Sequence, residues 1–99
     1  MVHEELISLK RLTLQGRKVA FTQAFLAWQR NGQQFTWSGS VRGAQVSGLV
    51  ESGQEVALSA FSLDGRTVEG RVVVLLPEGL EGVLAFAGVG PLVVAGRAL

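Results

Sequence analysis

Residues 24–39 have the sequence AFLAWQRNGQQFTWSG, in which Asn31-Gly32 separates two segments rich in aromatic and aliphatic residues. Asn-Gly between strand-like segments is a strong signal for a β-hairpin, because the tight turn needs residues that tolerate positive φ. A two-residue loop at Asn31-Gly32 gathers the large apolar side chains on one face, so the sequence predicts an antiparallel hairpin here. The predicted cross-strand pairs are Arg30 with Gln33, Trp28 with Phe35, Leu26 with Trp37, and Ala24 with Gly39.

Residues 17–30 also permit a helix, which would make the protein α+β. Phe21, Phe25 and Trp28 lie at i, i+4 and i+7, and Asn31-Gly32 could serve as a helix C-cap. Against a helix, the start at 16–18 is Gly-Arg-Lys, which offers no capping side chain and puts two cations at the positive end of the helix dipole. We therefore favour a strand and keep the helix as the alternative.

A second hairpin is predicted at Asp64-Gly65, where the same turn chemistry lies between two further strand-like segments. Residues 72–76, VVVLL, are a continuous aliphatic run typical of a strand covered on both faces, and Pro77 and Gly79 then favour a turn. With a two-residue loop, the predicted pairs are Phe61 with Val68, Ser59 with Gly70, and Ala57 with Val72.

The chain as a whole has the pattern of an all-β domain. Counting both hairpins, about eight short strands are joined by short turns, which is typical of a small antiparallel barrel or sandwich with mostly meander connections. A length of 99 residues favours a single domain over 1–99. The other predicted strands are residues 6–14, 44–50, 83–87 and 92–95, with a weaker turn at Ser52-Gly53.

The first strand changes phase along its length. Ile7 and Leu9 lie on one face of an ideal strand, whereas Leu12 and Leu14 lie on the other, so the sequence predicts a β-bulge at Lys10-Arg11. Thirteen glycines occur in the chain, several within strand patterns, and they favour a strongly curved sheet in which backbones approach closely. The glycines within strand patterns are Gly39, Gly48 and Gly70.

The composition argues against a catalytic or metal-binding role. The chain has no cysteine, and its one histidine, His3, lies near a terminus where side chains are usually solvated. No nucleophile elbow, phosphate-binding loop or metal-ligand spacing is present. We therefore predict no enzyme activity, no cofactor and no metal.

Charge and aromatic residues are unevenly distributed along the chain. Residues 6–50 contain six cations and no carboxylate, together with Trp28 and Trp37, whereas residues 51–99 contain six carboxylates and three arginines. A net charge of +1 therefore hides a dipolar sequence, which indicates contact with a partner. The six cations are Lys10, Arg11, Arg17, Lys18, Arg30 and Arg42.

The first functional hypothesis is assembly. Copies of the chain, or other protein subunits, would associate through complementary charge and an apolar last strand, as in a ring, a tube or a virion component. No secretion signal is evident at the start, and residues 82–96 are too short and too broken for a membrane span, so a cytoplasmic or particle-bound protein is expected. The candidate self-association residues are Phe86, Val89, Leu92, Val93 and Val94.

The alternative hypothesis is single-stranded nucleic-acid binding. The six cations would contact phosphates, while Trp28 and Trp37 would stack on bases. This function requires both tryptophans to be exposed, and in a domain of this size such large apolar rings tend to be buried. Assembly is therefore the preferred hypothesis.

Overall fold

The computed structural model describes residues 2–45, 50–77, 79 and 82–99, and these residues form an all-β fold. None of the described segments is a helix, so the helix considered for residues 17–30 is wrong, and none could cross a membrane as a helix. The strands are β1 (Val2–Leu14), β2 (Arg17–Lys18), β3 (Gln23–Asn31), β4 (Gln34–Arg42), β5 (Glu55–Ser62), β6 (Thr67–Leu75), β7 (Val83–Val94) and β8 (Arg97–Ala98).

Six of the strands close into an antiparallel barrel in the order β1-β3-β4-β7-β6-β5, with β5 pairing back onto β1. The barrel thus consists of two three-stranded meanders, β1-β3-β4 and β5-β6-β7, joined at β4–β7 and β1–β5. The short strands β2 and β8 continue β1 and β7 as small hairpins. Closure leaves no free edge on these six strands, which removes the main route to uncontrolled strand pairing.

The predicted bulge in the first strand is confirmed. The pairing of β1 with β5 shifts register between Leu9 and Arg11, so Lys10 is the extra residue. Because of this shift, Ile7 and Leu9 before the bulge point into the barrel together with Leu12 and Leu14 after it. The buried side chains of β1 are Ile7, Leu9, Leu12 and Leu14.

The first hairpin has its turn one residue later than predicted. Asn31 pairs with Gln34, which leaves Gly32-Gln33 as the loop, and positive φ occurs at Gly32 but not at Asn31. A single glycine with positive φ in the first loop position is typical of a type II′ turn. The partner of Trp28 is therefore Trp37 rather than Phe35, which is a shift of two positions along β4. Because an even shift leaves every side chain on the same side of the sheet, the predicted apolar face is retained.

The second hairpin has a three-residue loop, and this shifts the predicted cross-strand pairs by one residue. Gly65, with positive φ, donates to the carbonyl of Ser62, and Ser62 donates to the carbonyl of Arg66, so residues 63–65 form a turn with a bulge. Arg66 N–H also donates to Ser62 Oγ at 2.8 Å, which fixes the longer loop. The register moves by one residue, so Phe61 pairs with Thr67 and is exposed.

The C-terminal part of the chain also differs from prediction. Residues 83–87 and 92–95 belong largely to one strand, β7, whose register with β6 shifts around Gly90-Pro91. Proline is tolerated in a strand at such an irregularity. Most of the predicted strand at 44–50, including Gly48, lies outside the described residues. Gln45, which is described, forms an isolated bridge with Ala20.

Large aromatic side chains fit inside the barrel where neighbouring strands have glycine. Trp37 is 4% exposed and packs over Gly70 and Gly88, where a Cβ at Gly70 would lie 2.6 Å from the ring and one at Gly88 still closer. Its Nε1 donates to the carbonyl of Gly90 at 3.1 Å. Phe86 occupies the corresponding space over Gly39. Backbones were predicted to approach closely at Gly39 and Gly70, but the nearest group at each glycine is an aromatic ring.

We expect Gly88→Ala to lower the free energy of unfolding by about 1–3 kcal/mol, because the added methyl group overlaps the Trp37 indole. In a Trp37→Leu background, Gly88→Ala should lower the free energy of unfolding by clearly less, because the indole ring is absent. Urea unfolding of the four proteins in this cycle measures both values. An equal cost in the two backgrounds would contradict the packing described here.

Candidate functional site

One broad surface of the barrel carries no charged side chain. Along β1, β3, β4, β7 and β6, the residues that alternate with the buried core point outward, and ten of them form two cross-strand rungs. We call these ten residues the uncharged face. The first rung is Leu6, Ala27, Ser38, Ala87 and Val73, and the second is Ser8, Phe25, Ser40, Ala85 and Leu75.

The uncharged face has both small and large apolar members. Alanine and serine fill its centre on β4 and β7, whereas Leu6 is 65% exposed and Leu75 47% exposed at its sides. Charged residues begin beyond the rungs, with Glu55 next to Val73 and Arg42 on the adjoining row of β4. A charge-free, partly apolar surface with a charged rim is the composition expected of a protein contact surface.

A second surface is cationic. The bulge at Lys10 places Lys10 and Arg11 on the outside of the barrel together, although consecutive strand residues normally alternate. The turn at Gln15-Gly16 folds β2 back so that Lys18 pairs with Thr13. These cations line a groove of about 600 Å³ across β1, β2 and β5, which we call the basic groove.

Two aromatic rings lie in the basic groove. Phe61 is 44% exposed and is the cross-strand neighbour of Arg11, and Phe21 is half-buried on the segment after β2. A smaller hollow of about 240 Å³, lined by Lys10, Arg11, Phe61 and Leu63, adjoins it around the same ring. Phe61 is therefore an exposed aromatic side chain beside Lys10 and Arg11, with a hollow next to its ring.

Ion pairing leaves the cations of the basic groove available. The ion pairs among the described residues involve Arg66, with Glu5 and Asp64, and Arg71, with Glu55. Three described carboxylates are thus neutralised within the molecule. Within the described residues, Lys10, Arg11 and Lys18 have no such partner, and no described carboxylate lines the groove.

The structure separates the predicted nucleic-acid residues. Lys10, Arg11 and Lys18 come together, with Arg17 beside Lys18 on β2. The other two cations lie on other strands: Arg30 is 5.0 Å from the ring centroid of Phe35 near the β3–β4 turn, and Arg42 ends β4.

The two tryptophans do not form the predicted stacking platform. Trp37 is buried, so its assignment as a base-stacking residue is corrected to a core residue. Trp28 is half-buried and stacks on Phe35 with ring centroids 5.8 Å apart, away from the basic groove.

The predicted self-association residues are also divided. Phe86, Leu92 and Val94 point into the barrel and are buried, so these three cannot form an interface with another copy. Val89 is exposed and Val93 is half-buried on the outside of β7. Even in a continuous apolar segment, successive side chains of a barrel strand point alternately to the core and to the surface. The apolar segment therefore did not predict which of these residues are exposed.

Sequence reasoning missed Phe61 and the uncharged face. The two-residue loop assumed at Asp64-Gly65 paired Phe61 with Val68, which is buried, whereas Ser62 followed three residues later by Gly65 is compatible with the longer turn that exposes Phe61. The uncharged face is assembled from five strands, and no local pattern marks it. It depends on registers that pair Ala27 with Ser38 and Ser38 with Ala87.

A polar network joins β1 to the β5–β6 loop. Arg66 Nη2 lies 2.9 Å from Glu5 Oε2, Arg66 Nε lies 3.0 Å from Asp64 Oδ2, and the Trp28 indole donates to Glu5 at 3.1 Å. Ser62 Oγ donates to Asp64. The hydrogen bonds from Arg66 lower the pKa of Glu5, opposed by partial burial and supported by the Trp28 indole. These contacts hold the loop to the barrel and are structural.

Comparison with protein-family models, curated proteins and solved structures finds no match for this chain. The uncharged face and the basic groove are therefore the features of the molecule that indicate a function. Within the described ranges, no three histidine, cysteine or acidic residues lie close enough together to hold a metal ion.

The lowered pKa of Glu5 predicts a small acid-dependent loss of stability. The ionised carboxylate stabilises the fold above the ordinary pKa that Glu5 has in the unfolded chain, and this contribution is lost as the pH falls through the lower folded pKa. Because Glu5 is 37% exposed, we expect less than about 1 kcal/mol. Urea unfolding between neutral and acidic pH should show a flatter pH profile for Glu5→Gln than for the neighbouring Glu4→Gln. Identical profiles for the two variants would contradict the assignment.

Proposed function

We propose that this protein is a non-enzymatic assembly module whose uncharged face packs against the same face of a second copy. The observation that supports the proposal is the ten-residue surface without a charge, spread over five neighbouring strands. On the outward side of a solvated barrel, charged and polar residues are expected to alternate with the core. The lack of charged residues, with alanine, serine and larger apolar residues at these positions, supports a face that is covered in the working state.

The uncharged face is suited to a copy of itself. In a two-fold contact each residue meets a surface of identical composition, so a charged patch would oppose its own charge. A neutral face avoids this repulsion. Small side chains at Ser38, Ala85 and Ala87 let two curved walls approach closely at the centre, while Leu6 and Leu75 at the sides supply apolar area.

The size of the face sets the expected strength of association. The surface area of two rungs over five strands is small compared with the roughly 800 Å² that each partner buries in a standard interface. We therefore expect reversible dimers with a Kd on the order of micromolar or weaker. A ring, a tube or a particle would need a further contact, because a two-fold face closes after two copies.

The sequence-based scheme of a basic half meeting an acidic half needs revision in this proposal. Three of the described carboxylates are occupied by Arg66 and Arg71 within the molecule. Apolar contact through the uncharged face therefore supplies the affinity, and the cation Arg42 at its rim helps to fix the register of the two copies.

Ala87→Glu tests the proposal at the centre of the face. Ala87 lies between Ser38 and Val73, so a carboxylate there would be buried opposite its counterpart in a dimer. We expect the dimer Kd to rise at least about tenfold, measured by sedimentation velocity over a range of protein concentrations. Ala57→Glu is the matched control, since Ala57 is also an exposed strand alanine but lies on β5 outside the face.

Thermal unfolding of both variants should be similar to that of the unchanged protein, because both positions are exposed. The proposal fails if the unchanged protein stays monomeric at millimolar concentration. It also fails if Ala57→Glu weakens association as much as Ala87→Glu does.

A further inference from the structure

We infer that the basic groove is a binding site for single-stranded nucleic acid, a role separate from self-association. The groove brings together the two elements such sites use, cations that follow a phosphate backbone and exposed aromatic rings on which bases stack. Its volume of about 600 Å³ lies in the range of ligand sites.

The cations are positioned as a set by the backbone. The bulge puts Lys10 and Arg11 side by side on the outer surface, and the β1–β2 hairpin brings Lys18 beside Thr13 on the same wall. Because the bulge also keeps Leu9 and Leu12 inside, this arrangement is fixed by the core and does not require a binding partner to form. A preformed group of cations reduces the ordering needed on binding.

The electrostatic environment favours an anionic ligand. No described carboxylate lines the groove, and Glu69, which pairs with Ser59 across the β5–β6 ladder, is the next described acid at its margin. Arg66 and Arg71, by contrast, are matched by carboxylates within the molecule. The groove therefore differs from the rest of the described surface in leaving several cations together without internal partners.

Phe61 favours a single strand over other anions. Its ring is exposed between two hollows that both include Lys10 and Arg11, so a base could stack on it while flanking phosphates contact the cations. The bases of a duplex have their faces covered by neighbouring bases and cannot stack in this way. Acidic peptides could use the cations but gain little from the ring.

Fluorescence anisotropy of a short labelled oligo(dT) tests the inference. With three phosphate contacts, the logarithm of the association constant should fall with the logarithm of salt concentration at a slope of about −2. The double variant Lys10→Gln, Arg11→Gln should weaken binding and reduce the slope to about −0.7. The matched control Arg30→Gln, Arg97→Gln removes equal charge from other strands and should keep the slope of the unchanged protein.

Phe61→Leu separates stacking from simple charge attraction. We expect about a tenfold loss of affinity with no change in the salt slope. The fold should be retained, since the side chain is largely outside the core. Ala87→Glu should bind oligo(dT) as the unchanged protein does, so failure of the dimer proposal leaves this inference standing, and the reverse also holds.

Four results would each overturn the inference. They are no binding to oligo(dT) at low salt, equal weakening by the Arg30, Arg97 control, equal affinity for duplex DNA, and no effect of Phe61→Leu on affinity. The last two would indicate attraction of any polyanion to positive charge in place of a single-strand site.

Discussion

The packing of two large aromatic rings over glycine is the constraint on which the rest of the structure depends. Trp37 can lie over the neighbouring strands β7 and β6 only because Gly88 and Gly70 have no side chains beneath its ring, and Phe86 fits only over Gly39. These contacts tie β4, β6 and β7 together in one register. The same register fixes what faces outward, because each buried residue is followed by an exposed one. The rungs of the uncharged face are thus the outer counterpart of the packing inside.

Irregularities in the strands determine the second surface. An ideal strand would have alternated Lys10 and Arg11 between the core and the solvent, and one cation would have been buried at high cost. The bulge avoids that cost by keeping four apolar residues of β1 inside and both cations outside. The three-residue loop at residues 63–65 acts in a similar way, since it turns Phe61 outward beside Arg11. Local departures from regular pairing therefore create the chemistry of the groove.

The two surfaces are centred on different sides of the barrel. The uncharged face is centred on β4 and β7. The basic groove lies on β1 and β5, which are opposite β4 and β7 in the six-strand order, and on β2, which pairs with β1. Under both proposals, a dimer formed through the uncharged face would carry two basic grooves. Two weak sites held on one dimer bind a long strand more tightly than either alone, provided the strand can reach both. Assembly and nucleic-acid binding would then support each other.

The sequence by itself determined the all-β class, the positions of the two main hairpins and the bulge at Lys10-Arg11, because turn residues and the phase of apolar residues act over a few positions. It also marked the clustering of cations in the first half of the chain. It did not determine which of those cations meet, whether Trp37 is buried, or on which side Phe61 lies.

Only the tertiary structure decided these points. The face that a strand residue occupies changes with a shift of one position in register, and register depends on loop length and on packing between strands far apart in the chain. Hydrogen bonds of Ser62 and Gly65 stabilise the longer loop. Gly88, which is far from Trp37 in the sequence, leaves the space that the Trp37 ring occupies. The two candidate surfaces exist because of such long-range pairings, which local sequence patterns do not encode.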